Sequence, residues 1–142
     1  MTDTACPLCT GDGGVLVFRN TQLRVIQADE PGFPAFYRVI WNRHVAEFSD
    51  LTADERAVCM DAVAAVEQVL RAELQLCKIN LAAMGNMVPH LHWHVVARFD
   101  WDSHYPAPIW SAAIRPVDDV QLANVRAHTP ALNRHIQQKF VR

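Results

Sequence analysis

Nothing in the 142 residues approaches the ~20 consecutive apolar positions of a membrane span. The opening Met1-Thr2-Asp3-Thr4 lacks the charged and apolar regions of a signal peptide, so a cytoplasmic protein is expected. A basic surplus is missing too. Thirteen Lys and Arg stand against 15 Asp and Glu, for a formal net charge of -2 and a pI near 6.4, which excludes the broad electrostatics of nucleic-acid or membrane-surface binding. An anionic substrate must therefore be held by local donors. There are no repeats and no low-complexity segment, and the length suits one domain over 1–142. Cysteines number only four, and in a reducing compartment they are expected as thiols, which rules out a disulfide scaffold. Cys59 and Cys77 have no close cysteine partner and read as small buried apolar residues.

What the chain does have is histidine. Seven occur, and three fall in five positions of Pro89-His90-Leu91-His92-Trp93-His94-Val95-Val96. On a strand, residues two apart share a face, so the three imidazoles project together while Leu91, Trp93 and Val95 fill the other side. An imidazole row is a poor core lining, because each buried ring carries a donor and an acceptor to satisfy. Two chemistries fit: a three-His catalytic zinc site, or one ring acting as nucleophile while its neighbours do other work.

Elsewhere, Cys6-Pro7-Leu8-Cys9 followed by Gly11, Gly13 and Gly14 forms a turn-rich knuckle, read either as a metal hook, a redox pair or unbonded thiols. Val15–Phe18 and Leu23–Ile26 pair as a hairpin, and a third strand runs over Ala35–Trp41. His44 follows that strand and, alone, would be an ordinary loop histidine. Thr52 and Glu55 have capping-box spacing at the head of a long helix expected to reach about Leu74, with Val58, Ala62, Ala65, Val66 and Val69 toward the sheet. Ile79–Ala83 is strand-like and leads through the turn Gly85-Asn86-Met87 to the histidine strand. After Phe99 periodicity is lost, and Asp100–Trp110 reads as an ordered surface loop whose tryptophans cover something. A last helix is expected over about 130–140, with Leu132, Ile136 and Phe140 on one side.

His90-Leu91-His92-Trp93-His94-Val95-Val96 resembles the histidine-triad (HIT) pattern at every position, and residues 6–99 follow that family's order of elements. The resemblance is strongest to the bacterial branch of diadenosine-tetraphosphate-hydrolase-like HIT proteins. It implies an α+β fold: a mostly antiparallel sheet of about five strands, one long helix packed on it and a short C-terminal helix. It implies a nucleotidyl hydrolase or transferase in which His92 attacks the α-phosphorus and His94 donates to a phosphate oxygen. The same resemblance assigns Cys6, Cys9, His44 and His90 to a structural zinc. Asn86 becomes a donor to the substrate, Asp29 a ribose ligand, and Asn80 and Phe18 linings of the nucleoside pocket. Met87 stands where related proteins have a hydroxyl. The segment 100–142 is expected to form the leaving-group side, and homodimers are usual in the family. Two competing functions stay open, the three-His zinc hydrolase and a nucleotide-binding protein with little turnover.

Overall fold

In the computed structural model, which describes residues 3–141, alternating apolar patterns have become five strands: β1 (Val15–Arg19), β2 (Leu23–Gln27), β3 (Phe36–Trp41), β4 (Lys78–Ala82) and β5 (His92–Arg98). They form one antiparallel sheet in the order β1-β2-β3-β5-β4. Four α-helices accompany them, α1 (Pro7–Thr10), α2 (Ala53–Glu73), α3 (Asp119–Ala127) and α4 (Thr129–Phe140), with a single 3-10 turn over Phe48–Asp50. The α+β architecture expected from the sequence is the one observed.

Strand alternation sorts the sheet into two unlike faces. Val25, Tyr37, Val39, Trp41, Val95 and Ala97 face the helices and make the larger core with Val63, Val66 and Leu70 of α2. The other face carries Ile26, Phe36, Ile40 and Val96, but also Arg24, Arg38, His92, His94 and Arg98. The helix α2 begins as the sequence dictates: the Thr52 hydroxyl accepts from the Glu55 backbone N–H, and the Glu55 carboxylate accepts from that of Thr52. Its buried stripe is Cys59, Ala62, Val63, Val66, Val69 and Leu70, so Val58 is turned outward, 37% exposed.

Four expectations are corrected. Cys77 is exposed, since it lies outside the ladder between α2 and β4, whereas Cys59 is buried as expected. The histidine strand starts at His92, because the Leu91 backbone N–H donates to Val45 and that of His90 to Val88. The helix α3 was not foreseen; Asp118 caps it by accepting from the Gln121 N–H. Finally, α4 packs behind the sheet, burying Leu132 and Ile136 while Tyr37 donates to Asn133 and Gln137 to the Val17 carbonyl. The C-terminal helix is thus on the face opposite His92 and His94.

Candidate active site and metal centre

Two clusters share the polar face. In the first, α1 brings Cys6 and Cys9 against the ends of the β3 and β5 approaches. The Sγ atoms of Cys6 and Cys9 lie 3.4 and 3.5 Å from His90 Nδ1, and His44 Nδ1 lies 3.2 Å from both Cys9 Sγ and His90 Nδ1. All four ligand atoms fall within 4.8 Å of one another. Zn–S bonds of ~2.3 Å and Zn–N bonds of ~2.0 Å arranged as a tetrahedron require ligand separations of about 3.3–3.8 Å, so the donor set fits a zinc ion. Its orientation fits as well. His90 is fully buried, and its Nε2–H donates to the Trp41 carbonyl at 2.6 Å, which leaves the Nδ1 lone pair for the ion. Arg24, 3% exposed, ties the knuckle to the sheet by donating to the carbonyls of Asp12, Leu8 and Gly11.

The second cluster is the pair His92 and His94, with ring centroids 4.9 Å apart. His92 Nδ1 lies 2.6 Å from the His90 carbonyl; a carbonyl only accepts, so Nδ1 carries the proton and Nε2 of the neutral ring holds a free lone pair. Burial pushes the His92 imidazole below the ordinary histidine range, against the opposing pull of that hydrogen bond. His94 has the complementary tautomer. Its Nδ1 accepts from Arg38 Nε–H at 3.2 Å, so its Nε2 is the donor. Burial, then repulsion from His92 once that ring is protonated and from Arg38, drives its pKa down to about 3, so the ring is neutral at pH 7.

Both rings open on a cleft of about 470 Å³, whose wall also includes Leu8, Arg38, Asn86 and Trp110. Trp110 covers His94 at 5.2 Å between centroids, and it is held there by the loop after β5. That loop is anchored by Arg98 and Asp102, a buried bidentate pair at 2.9 and 3.1 Å. A larger cleft of about 560 Å³ lies between the end of α2 and α3, lined by Glu73, Trp101, Asn124 and His128. It contains no comparable pair of oriented imidazoles, and chemistry rather than size marks the first as the candidate site.

Of the residues expected at the site, His92, His94 and Asn86 meet in the cleft, and Cys6, Cys9, His44 and His90 meet in the metal cluster. Met87 is 93% exposed at the rim. Asn80 lies on the same sheet face but accepts from Arg98 Nη1 at 2.8 Å, away from the imidazoles. Asp29 is exposed in a separate hollow with Gln27, Pro34 and Arg126. Phe18 is a correction. A β-bulge between Leu16 and Phe18 sets Phe18 opposite Val25 instead of Arg24, which turns its ring to the helix face, where it stacks on Phe140 at 4.5 Å. Sequence reasoning missed Arg38, whereas Trp110 belongs to the loop whose tryptophans were expected to cover something, and what it covers is His94. The signal for Arg38 was present, as a lone charge in the otherwise apolar run Phe36–Trp41.

Fold, triad strand and the Cys₂His₂ cluster together define a histidine-triad protein. The HIT domain family model matches residues 13–101, and the chain belongs to that family. Among proteins of known structure it is similar to a histidine triad protein from Bradyrhizobium japonicum, with 26% identity, a TM-score of 0.70 and coverage of 88% of this chain and 92% of that one. A zinc-bound histidine triad family protein from Mycobacterium smegmatis shares the fold at 19% identity and a TM-score of 0.64, over 94% and 92% of the two chains. The AP-4-A phosphorylase of Mycobacterium tuberculosis is 29% identical over 119 residues, which is 80% of this chain and 61% of that protein. The chain thus spans about three fifths of the length of this curated relative. No helix among the described residues is long and apolar enough to cross a membrane.

Proposed function

We propose that this protein is a nucleotidyl hydrolase or transferase that cleaves an adenylyl-type nucleotide at its α-phosphate through a transient nucleotidyl group on His92. The observation that carries the reading is the opposite tautomers of the paired rings: His92 presents a lone pair at Nε2 and His94 a proton at Nε2. The His92 Nε2 lone pair forms the N–P bond as the P–O bond to the leaving group breaks. His94 Nε2–H stabilises the charge on the phosphoryl oxygens. In the second half, water attacks phosphorus and releases a proton to solvent, the N–P bond breaks, and the electron pair returns to His92 Nε2. A neutral imidazole supplies this nucleophile at pH 7 without prior deprotonation. Asn86, on the cleft wall, has an amide that can donate to the leaving-group side.

Cys6, Cys9, His44 and His90 are the residues that would hold zinc, and with four protein ligands the ion would act as a cross-link between the N-terminal knuckle and the sheet. The three-His alternative is disfavoured because His90 Nδ1 faces the two thiols and His44, while His92 Nδ1 is committed to a carbonyl. The loop 100–117 contributes the leaving-group wall through Trp110. Residues 1–142 act as one domain, working in the cytoplasm as a homodimer of the family's usual kind. Asp29, just after β2, would accept from the ribose hydroxyls. The name of the mycobacterial relative makes inorganic phosphate a second acceptor to set beside water.

The test is a panel of dinucleoside polyphosphates and nucleoside phosphoramidates, assayed with and without inorganic phosphate, on wild type and His92→Asn with zinc content measured alongside. The proposal expects turnover in wild type and a loss of at least about a thousandfold in the variant, with zinc retained. Zinc lost together with activity would favour the three-His metal site, and binding without turnover in wild type would favour a nucleotide-binding protein.

A further inference from the structure

Four arginines lie on the polar face of the sheet: Arg19, on the edge strand, is paired with Asp12, and Arg24 and Arg98 are spent as well. Arg24 donates from Nε to Asp12, from Nη1 to Asn42 and from Nη2 to Leu8 and Gly11. Arg98 donates to both oxygens of Asp102, to Asn80 and to the Ala107 carbonyl. Each is almost completely buried, at 3% and 1% exposure, and each has a structural task. Arg38 differs on both counts. It is only partly buried, no carboxylate among the described residues forms an ion pair with it, and its single hydrogen bond runs from Nε to His94 Nδ1. Both Nη atoms are without partners among the described residues, and the side chain lines the cleft that holds His92 and His94.

The guanidinium is also held in place. Arg38 is directly cross-strand from His94, and its Cζ lies 4.9 Å from the centroid of Phe36, two residues earlier on the same face. Cation–π contact and the Nε hydrogen bond fix the plane of the fork without consuming its outer donors. A fixed guanidinium with free Nη groups is suited to two parallel hydrogen bonds to a tetrahedral oxyanion. In a chain of net charge -2 it is also the local donor that an anionic substrate needs.

We infer that Arg38 grips the oxygens of the phosphoryl group presented to His92, and that the same side chain, through Nε–H, positions His94 as the Nε2–H tautomer. The inference rests on the proposed reaction for the identity of the anion, but the oxyanion site itself is a property of Arg38. It makes Arg38 a binding residue toward substrate and a positioning residue toward His94, so one strand position couples recognition of the phosphate to the proton that stabilises it.

Sodium tungstate, a tetrahedral oxyanion, is the probe. It is titrated into the full chain, zinc-loaded, for wild type, Arg38→Lys and Arg38→Met, with nitrogen-15 spectra of the arginine side chains and of the His94 ring. Saturable binding in wild type should shift the Arg38 resonances, with His94 Nδ1 unprotonated throughout. Affinity should fall at least about tenfold in Arg38→Met. Arg38→Lys should recover only part of it, because an ammonium keeps the charge and loses the fork. Nucleotidyl turnover should drop about a hundredfold in Arg38→Met. Equal tungstate affinity in wild type and Arg38→Met, no response at Arg38 in wild type, or a His94 ring protonated at Nδ1 would each overturn the inference. The wild-type spectra decide the matter even if Arg38→Met does not fold. Tungstate bound through Arg38 in a wild type that turns over no nucleotidyl substrate would sink the proposed reaction and leave the oxyanion site standing.

Discussion

Asp102→Asn should be among the most damaging substitutions outside the imidazole pair. The Asp102 carboxylate accepts from Arg98 Nε and Nη2 at 2.9 and 3.1 Å, and from the backbone N–H groups of Phe99, His104 and Tyr105 at 3.2, 3.0 and 2.7 Å. Both side chains of the ion pair are 1% exposed. Asparagine preserves the volume, replaces one acceptor oxygen with an NH₂ that meets other donors, and strands the Arg98 charge in the interior. Removing one partner of a buried pair costs about 3–5 kcal/mol, a large share of the ~5–15 kcal/mol that holds a domain together. Equilibrium urea unfolding at pH 7 measures it, and a loss below about 1 kcal/mol would refute the anchoring role. Adding Arg98→Met to Asp102→Asn should recover part of that loss, because no charge is then stranded while the Asn oxygen still accepts from the loop N–H groups. Burial works to raise the Asp102 pKa, but Arg98 and the three N–H groups outweigh it and hold the carboxyl below its usual range. A depressed folded-state value gives stability that is present above the unfolded pKa and is lost as pH falls through the folded one. Asp102→Asn should flatten that acid limb.

The purified protein should carry about one zinc per chain, and Cys9→Ala should lose the metal and lower Tm; a metal-free wild type from an undamaged preparation would contradict the site. His94→Asn should leave the fold intact and slow turnover by about 3 kcal/mol of barrier, read in single-turnover rates; an unchanged rate would remove His94 from the mechanism. Because the His94 pKa is held near 3 in the folded state, below the ~6.5 of an unfolded histidine, the unfolded chain takes up the proton first. Stability should therefore decline on acidification by up to about 1.4 kcal/mol per pH unit from this ring. His94→Asn should lack that slope, and parallel pH–stability curves for the two proteins would contradict the assignment.

The sequence made the polar site legible where local rules were strong. Period-two alternation placed His92 and His94 on one face, a capping box marked the head of α2, and the CxxC spacing offered a metal hook as one of three readings. It was weaker wherever tertiary contacts overrode the local pattern. The bulge at Leu16 and Phe18 reverses a face by adding one residue, and nothing in Val15–Arg19 announces it. His90 is three residues in five with its fellow histidines, yet its ring belongs to the thiols because Trp41 holds its Nε2. The loop that carries Trp110 to His94 depends on Arg98 and Asp102 finding each other in the interior, which no periodicity encodes. Arg38 was visible as a charge in an apolar strand, but its meaning came only from the uncommitted Nη atoms beside His94.

The central claim is that His92 Nε2 becomes covalently nucleotidylated, and rapid quenching tests it most directly. Wild-type protein mixed with an adenylyl substrate carrying label on the α-phosphate should, within one turnover, hold acid-labile label on a peptide containing His92. His92→Asn should hold none while still binding the nucleotide. Turnover in wild type with no labelled peptide at any quench time, or full hydrolysis by His92→Asn, would contradict the account.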